Sequence, residues 1–288
     1  MKAIFKRELQ SYFTSMIGCV FVAFMVAITG VYFMVYNLNY GYPYFSYTLQ
    51  GIVFVFLIAI PILTMRCFSE ERKNKTDQLL LTSQVKIYEV VLGKFFSMAA
   101  VFLIPVLIYC FFPLIIKLQG EAHFLVDYSS ILAFFLLGCV YISIGMFLSA
   151  LTESQIIAAI STFGVLLILY LANGLTNFLP TTAIGNLIGL IFILTVIVLI
   201  IFRITKNWFL SVVLECAGIA AALITYLVKS SLFESLLSNW LGKLYLTSVL
   251  DNFSTNYLFD ISGLVYYLSV IFVFVFLTIQ TLQKRRWS

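Results

Sequence analysis

The chain has 288 residues, 62% of them hydrophobic and 10% charged, with a mean hydropathy of +1.08. Soluble domains carry about 25% charged and about 45–50% apolar residues. A water-soluble fold is therefore excluded, and the expected class is an all-α polytopic membrane protein. The net charge of +5 comes from a few basic segments, and no nucleic-acid partner is expected.

Residues 3–13, AIFKRELQSYF, open the chain. Phe5, Leu9 and Tyr12 follow i, i+4, i+7 spacing, and Lys6 and Arg7 fall largely on the other side. This spacing predicts an amphipathic helix within residues 1–15, lying along the membrane with its basic face toward headgroups. No cleavable leader is expected, because the apolar run from Met16 to about Leu38 is too long for a signal peptide and lacks a small-residue cleavage site.

Eight apolar runs follow, each near the ~20 residues that cross ~30 Å of hydrocarbon. They are 16–38, 46–65, 95–117, 129–151, 155–173, 184–202, 209–228 and 263–282, and residues 16–288 read as one transmembrane domain. Lipid offers backbone groups no partners, so each span is expected to be helical. Pro61, Pro105 and Pro113 predict kinks. With the N-terminus inside, 14 of the 17 basic residues fall on inner segments, and only Lys117, Lys229 and Lys243 fall outside. This positive-inside bias predicts cytoplasmic termini at both ends.

The longest charged interruption is 66–94, with Arg66, Arg72, Lys73, Lys75, Lys86 and Lys94. Glu70 to Leu81 is expected to form about three helical turns, with Glu70 and Glu71 favoured at its N-terminus by the dipole. Leu79, Leu80 and Leu81 need cover outside the membrane. Two readings stay open on physics alone: a plug for a groove in a soluble partner, or a solvated loop on the membrane face. A second short helix is expected from about Val85 to Lys94. Between the last two spans, Phe233, Leu236, Leu237, Trp240, Leu241 and Leu244 form an apolar helical stripe, and DNFSTNYLFD reads as a polar, aromatic turn. Gly185/Gly189 and Gly145/Ser149 are small-x-x-x-small pairs.

Catalytic motifs are not found. No G-x-x-x-x-G-K-[ST] loop is present, so nucleotide binding is not expected in this chain, and no catalytic residue is assigned. The five cysteines read as small core hydrophobes, and His123 as a loop residue without a metal. Glu215 is the acidic residue inside a predicted span, and an intramembrane charge is a functional candidate by default. It keeps open an ion- or proton-coupled carrier, beside a membrane assembly protein with no transport cycle.

The pattern R-x-F-S-E-E-R-x-x-x-T-x-x-L-L-L-T-S followed by G-K comprises Arg66, Phe68, Ser69, Glu70, Glu71, Arg72, Thr76, Leu79, Leu80, Leu81, Thr82, Ser83 and Gly93-Lys94. It resembles the first cytoplasmic loop of type-2 ABC exporter permeases. SALTESQIIAAI (149–160) resembles the turn between that family's fourth and fifth spans, and LVYYLSVIFVFVFLTIQTLQKRRW (264–287) resembles the last span of its gliding-motility-type branch. The resemblance implies a six-span core, here with two extra spans, in a bacterial cytoplasmic membrane. It implies a permease working as a dimer with itself or a homologue. A cytoplasmic ABC ATPase binds the ATP and Mg and docks on a coupling helix, implicating Glu70, Glu71, Arg72, Lys73, Thr76, Asp77, Leu79, Leu80, Leu81 and Thr82. The N-terminal helix (Phe5, Lys6, Arg7, Leu9, Tyr12) acts as a connector against membrane lipids. A membrane-anchored extracytoplasmic auxiliary protein can accompany the branch. Gln84 departs from the proline common after T-S, which implies a less rigid kink.

Overall fold

The computed structural model describes residues 1–76, 86–176, 178–180, 182–205, 208–228, 233–257 and 259–287. Every regular element among them is helical. α1 (Lys2–Thr14) turns into α2 (Ile17–Phe33) at Met16, whose φ of 58° is left-handed. A π-helical segment, Met34–Asn39, prolongs α2. α3 (Ser46–Ile52), a 3-10 turn at Val53–Val55 and α4 (Phe56–Thr64) form one rod, followed by the short α5 (Ser69–Lys73). α6 (Ile87–Tyr109) breaks before α7 (Phe112–Gln119), which has Pro113 in its first turn, where a missing N–H costs nothing. α8 (Phe124–Leu151) and α9 (Gln155–Thr176) are joined by only three residues. α10 (Ala183–Thr205), α11 (Trp208–Val228), α12 (Leu236–Leu244), α13 (Thr247–Ser254) and α14 (Ile261–Trp287) complete the order.

Six helical stretches among the described residues are long and apolar enough to cross a membrane: Ile17–Asn39, Ser46–Lys73, Ile87–Gln119, Phe124–Leu151, Gln155–Ala172 and Ile261–Arg285. The protein is thus an all-α polytopic membrane protein, with six such stretches where the apolar runs suggested eight. α10 and α11 occupy the places of the other two, and there the apolar stretch Ala183–Val196 is shorter. From Ile87 the helix expected over 85–94 is the start of α6, Val85 lying outside the described residues, and residues 251–254 of the expected polar turn are the end of α13.

The chain forms two compact units, Met1–Ile168 with Leu246–Ser288, and Leu169–Tyr245. In the first, α8 is the central post and packs on α14, α13, α4 and α6. Lipid tails are as apolar as leucine, so close packing and hydrogen bonds, not exclusion of water, hold such helices together. Small residues make the approach possible. A Cβ on Gly138 would meet the Phe102 ring at 2.2 Å, and one on Gly145 would meet Thr64 Oγ1 at 2.4 Å. Phe56 then packs against Phe102, Phe134 and Tyr141 with ring centroids 4.6–5.8 Å apart. The Gly145/Ser149 pair is thereby used within the chain. Ser149 Oγ accepts from the Phe68 and Ser69 N–H groups, tying the start of α5 to α8.

In the second unit α10 lies along α11. Asn186 donates to the Pro180 and Thr182 carbonyls and accepts from the Leu237 N–H, which fixes the start of α12 against α10. The side chain of Leu237 fills the space over Gly189.

Candidate functional site

One end of the first unit gathers its charges. α1 reaches α6 because Gly93 leaves room: a Cβ there would meet Ile4 Cγ2 at 3.0 Å. One residue on, Lys94 is 2% exposed. Its Nζ donates to the Cys67 carbonyl at 2.9 Å and to Glu71 Oε1 at 2.9 Å, and lies 3.3 Å from Glu8 Oε2. Two hydrogen bonds and a second carboxylate at ion-pair distance compensate the burial of the ammonium. Arg7 lies 2.6 Å from Glu8 and 3.5 Å from Glu71. Two cations and two carboxylates form a neutral cluster joining α1, α5 and α6. The hydrogen bond to Glu8 raises the Arg7 guanidinium further above its already high value. Tyr12, buried beside them, donates to the Leu63 carbonyl of α4, and its burial pushes the phenol well up. A cavity of about 320 Å³ opens over the cluster, lined among others by Arg7, Glu8, Tyr12, Glu70, Glu71 and Lys94.

The neighbour of Glu71 points elsewhere. Arg72 is buried and donates to the Ala150 carbonyl in the last turn of α8 at 2.8 Å, where helix carbonyls lack internal partners. It also meets Glu153 Oε1 at 3.1 Å, which lies 3.8 Å from Arg285 near the end of α14. α5 is therefore gripped twice, by α1 and α6 through Glu71, and by the α8–α9 turn and α14 through Arg72. The termini of the described chain lie at this same end.

α5 itself is shorter than the expected helix over Glu70–Leu81. It starts at Ser69 and stops at Lys73, because Asn74–Thr76 turn with Lys75 at a φ of 57°, a left-handed helix stop. Of the candidate docking residues, Glu70 is half-buried with Arg66 3.9 Å away, while Lys73 and Thr76 are exposed. Asp77, Leu79, Leu80, Leu81 and Thr82, and Gln84 with them, lie outside the described residues. On α1, Phe5 and Leu9 are half-buried and Lys6 is exposed. Glu215 is half-buried in α11 and makes no ion pair among the described residues.

Reading the sequence missed Glu8, Glu153 and the inward role of Lys94. It also missed the opposite end, where Tyr32, Tyr36, Tyr40, Tyr42, Tyr44 and Tyr47 form a chain of ring contacts 5.2–6.4 Å apart. Tyr44 stacks on His123 at 4.6 Å and packs tilted against Tyr257 at 4.8 Å. Beneath them Asn37 donates to the Tyr42 and Tyr44 carbonyls, and Asp127 accepts from the Phe45 N–H. The density of tyrosine between 36 and 47 was the available signal.

Compared with known protein families, the chain matches the model described as ABC-2 family transporter protein over residues 33–232, from the end of α2 past α5 and α11. No curated protein and no solved structure matches.

Proposed function

The chain belongs to the ABC-2 family of transporter proteins, and from this premise we propose that it is the membrane subunit of an exporter driven by a separate cytoplasmic ATPase. The observation that carries the reading is the double grip on α5. A displacement of the loop beyond Asn74 reaches α1 and α6 through Glu71 and reaches the end of α8 and, by way of Glu153, α14 through Arg72. The loop thus has a mechanical path into four helices, and the chain itself has no phosphate-binding loop to supply the energy. In this reading Lys73, Thr76, Asp77, Leu79, Leu80, Leu81 and Thr82 meet the ATPase, with Glu70 at the edge, while Glu71 and Arg72 anchor the lever.

The 14 of 17 basic residues on inner segments support placing this end, with both termini, in the cytoplasm of a bacterial cell. Two copies, or this chain and a homologue, then enclose the path of the cargo. The Tyr32–Tyr47 end faces outward, where a membrane-anchored auxiliary protein with an extracytoplasmic domain meets it. α1 lies on the inner membrane surface as a connector.

Leu79→Asp combined with Leu80→Asp is expected to leave insertion intact and to abolish co-purification of the ATPase. An ATPase still recovered in full yield with this variant would count against the docking assignment.

A further inference from the structure

A second cavity lies on the other side of α1, between it, α6 and α8, and it is apolar. It holds about 510 Å³ and is lined by Phe5 of α1, by Phe96, Ala99, Ala100 and Leu103 of α6 and by Phe135 of α8. The two alanines are what open it, since larger side chains there would fill the trough. From Phe96 to Leu103 the trough runs about 10 Å along the α6 axis at ~1.5 Å per residue. That is most of one leaflet of a ~30 Å hydrocarbon core, and this part of α6 belongs to a membrane-crossing stretch.

The mouth of the trough is basic. Lys2 lines it, and Lys6 stands one helical turn further along α1, on the same side by i, i+4 spacing. Both are exposed, and neither makes an ion pair among the described residues. The other cation there, the Met1 ammonium, is already matched by Glu89 at 2.9 Å.

We propose that this trough is a specific phospholipid site: one acyl chain of a bilayer phospholipid lies over Ala99 and Ala100, and its anionic headgroup is held by Lys2 and Lys6. A trough at hydrocarbon depth with the Lys2 ammonium at its rim and the Lys6 ammonium one turn along α1 fits an anionic lipid, and a zwitterionic headgroup brings no net charge to them. Basic pockets between helices at a membrane surface are known to take such headgroups. The seated chain completes the packing of α1 on α6, next to the Glu8–Lys94 contact. The composition of the surrounding leaflet therefore bears on how firmly α1 is held.

The test is native mass spectrometry of the full chain in detergent, titrated with dioleoyl phosphatidylglycerol or dioleoyl phosphatidylcholine. Each lysine near a lipid surface is worth about fivefold in affinity, so phosphatidylglycerol is expected to bind roughly 30-fold more tightly. Lys2→Gln with Lys6→Gln should remove that preference while a lipid still binds, and Ala100→Leu should weaken both lipids alike. Circular dichroism of each variant checks that the helices form, and the surface lysine pair carries the test if Ala100→Leu does not fold. Equal binding of the two lipids by the natural sequence, or a preference that survives in the lysine variant, would overturn the proposal.

Discussion

At position 94 a lysine stands where the apolar run of α6 begins, and its burial is tolerated because Glu8, Glu71 and the Cys67 carbonyl surround it. Removing one member of such a cluster leaves the others buried and unmatched, which typically costs about 3–5 kcal/mol. Lys94→Met is expected to lose stability on that scale, measured by denaturation in detergent. Adding Glu71→Gln to it should recover most of the loss, because Arg7 and Glu8 then still match each other. If the double variant were no more stable than Lys94→Met, the cluster would be acting through shape and not charge. Little of this was legible beforehand. The G-K pair stood out, but Lys94 looked like one more cation of a charged loop, and nothing in local spacing links it to Glu8 on α1. The same holds at the far end, where the tyrosines between 36 and 47 are visible in the sequence but their stacking with His123 and Tyr257 depends on three separate loops meeting.

Among the elements, helix existence was easy to read and helix limits were not. α5 stops at Lys73 because Lys75 adopts a left-handed turn, and no glycine marks that position in the sequence. The start of α14 shows the opposite case, a cap with a readable residue. Asp260 Oδ1 accepts from Ser262 Oγ at 2.5 Å and from the Gly263 N–H at 3.0 Å, just before and over the first turn. Those bonds, that of Ser262 first, hold the carboxyl below its usual range. Asp260→Ala is expected to cost about 1 kcal/mol at neutral pH. A carboxylate with a lowered folded pKa stabilises above its unfolded pKa, and that contribution fades as the pH falls through the folded value. The melting-temperature gap between the natural sequence and Asp260→Ala should therefore be present at pH 7 and close on acidification below about pH 4. A gap independent of pH would mean that Asp260 acts by packing alone.

At the scale of the molecule, hydropathy sufficed to read an all-helical membrane protein, because it is set by the bilayer and not by contacts. Six of the apolar runs reappear as stretches fit to cross a membrane. What hydropathy could not supply was how the helices interlock, since Gly138 over Phe102 and Gly145 over Thr64 are ordinary glycines until their neighbours are known. In the proposed function, α5 and the loop after it are the point where an ATPase drives the bundle. Photocrosslinking in cells tests that directly, with a photoreactive amino acid placed at Lys73 or Thr76 and, as the control, at Tyr40 or Tyr42. All four side chains are exposed, so a photoreactive group at each can reach a partner. The account predicts that an ABC ATPase subunit, identified by mass spectrometry, is captured from positions 73 and 76 and not from 40 and 42. No ATPase at 73 and 76, or its capture from the tyrosine end, would contradict it.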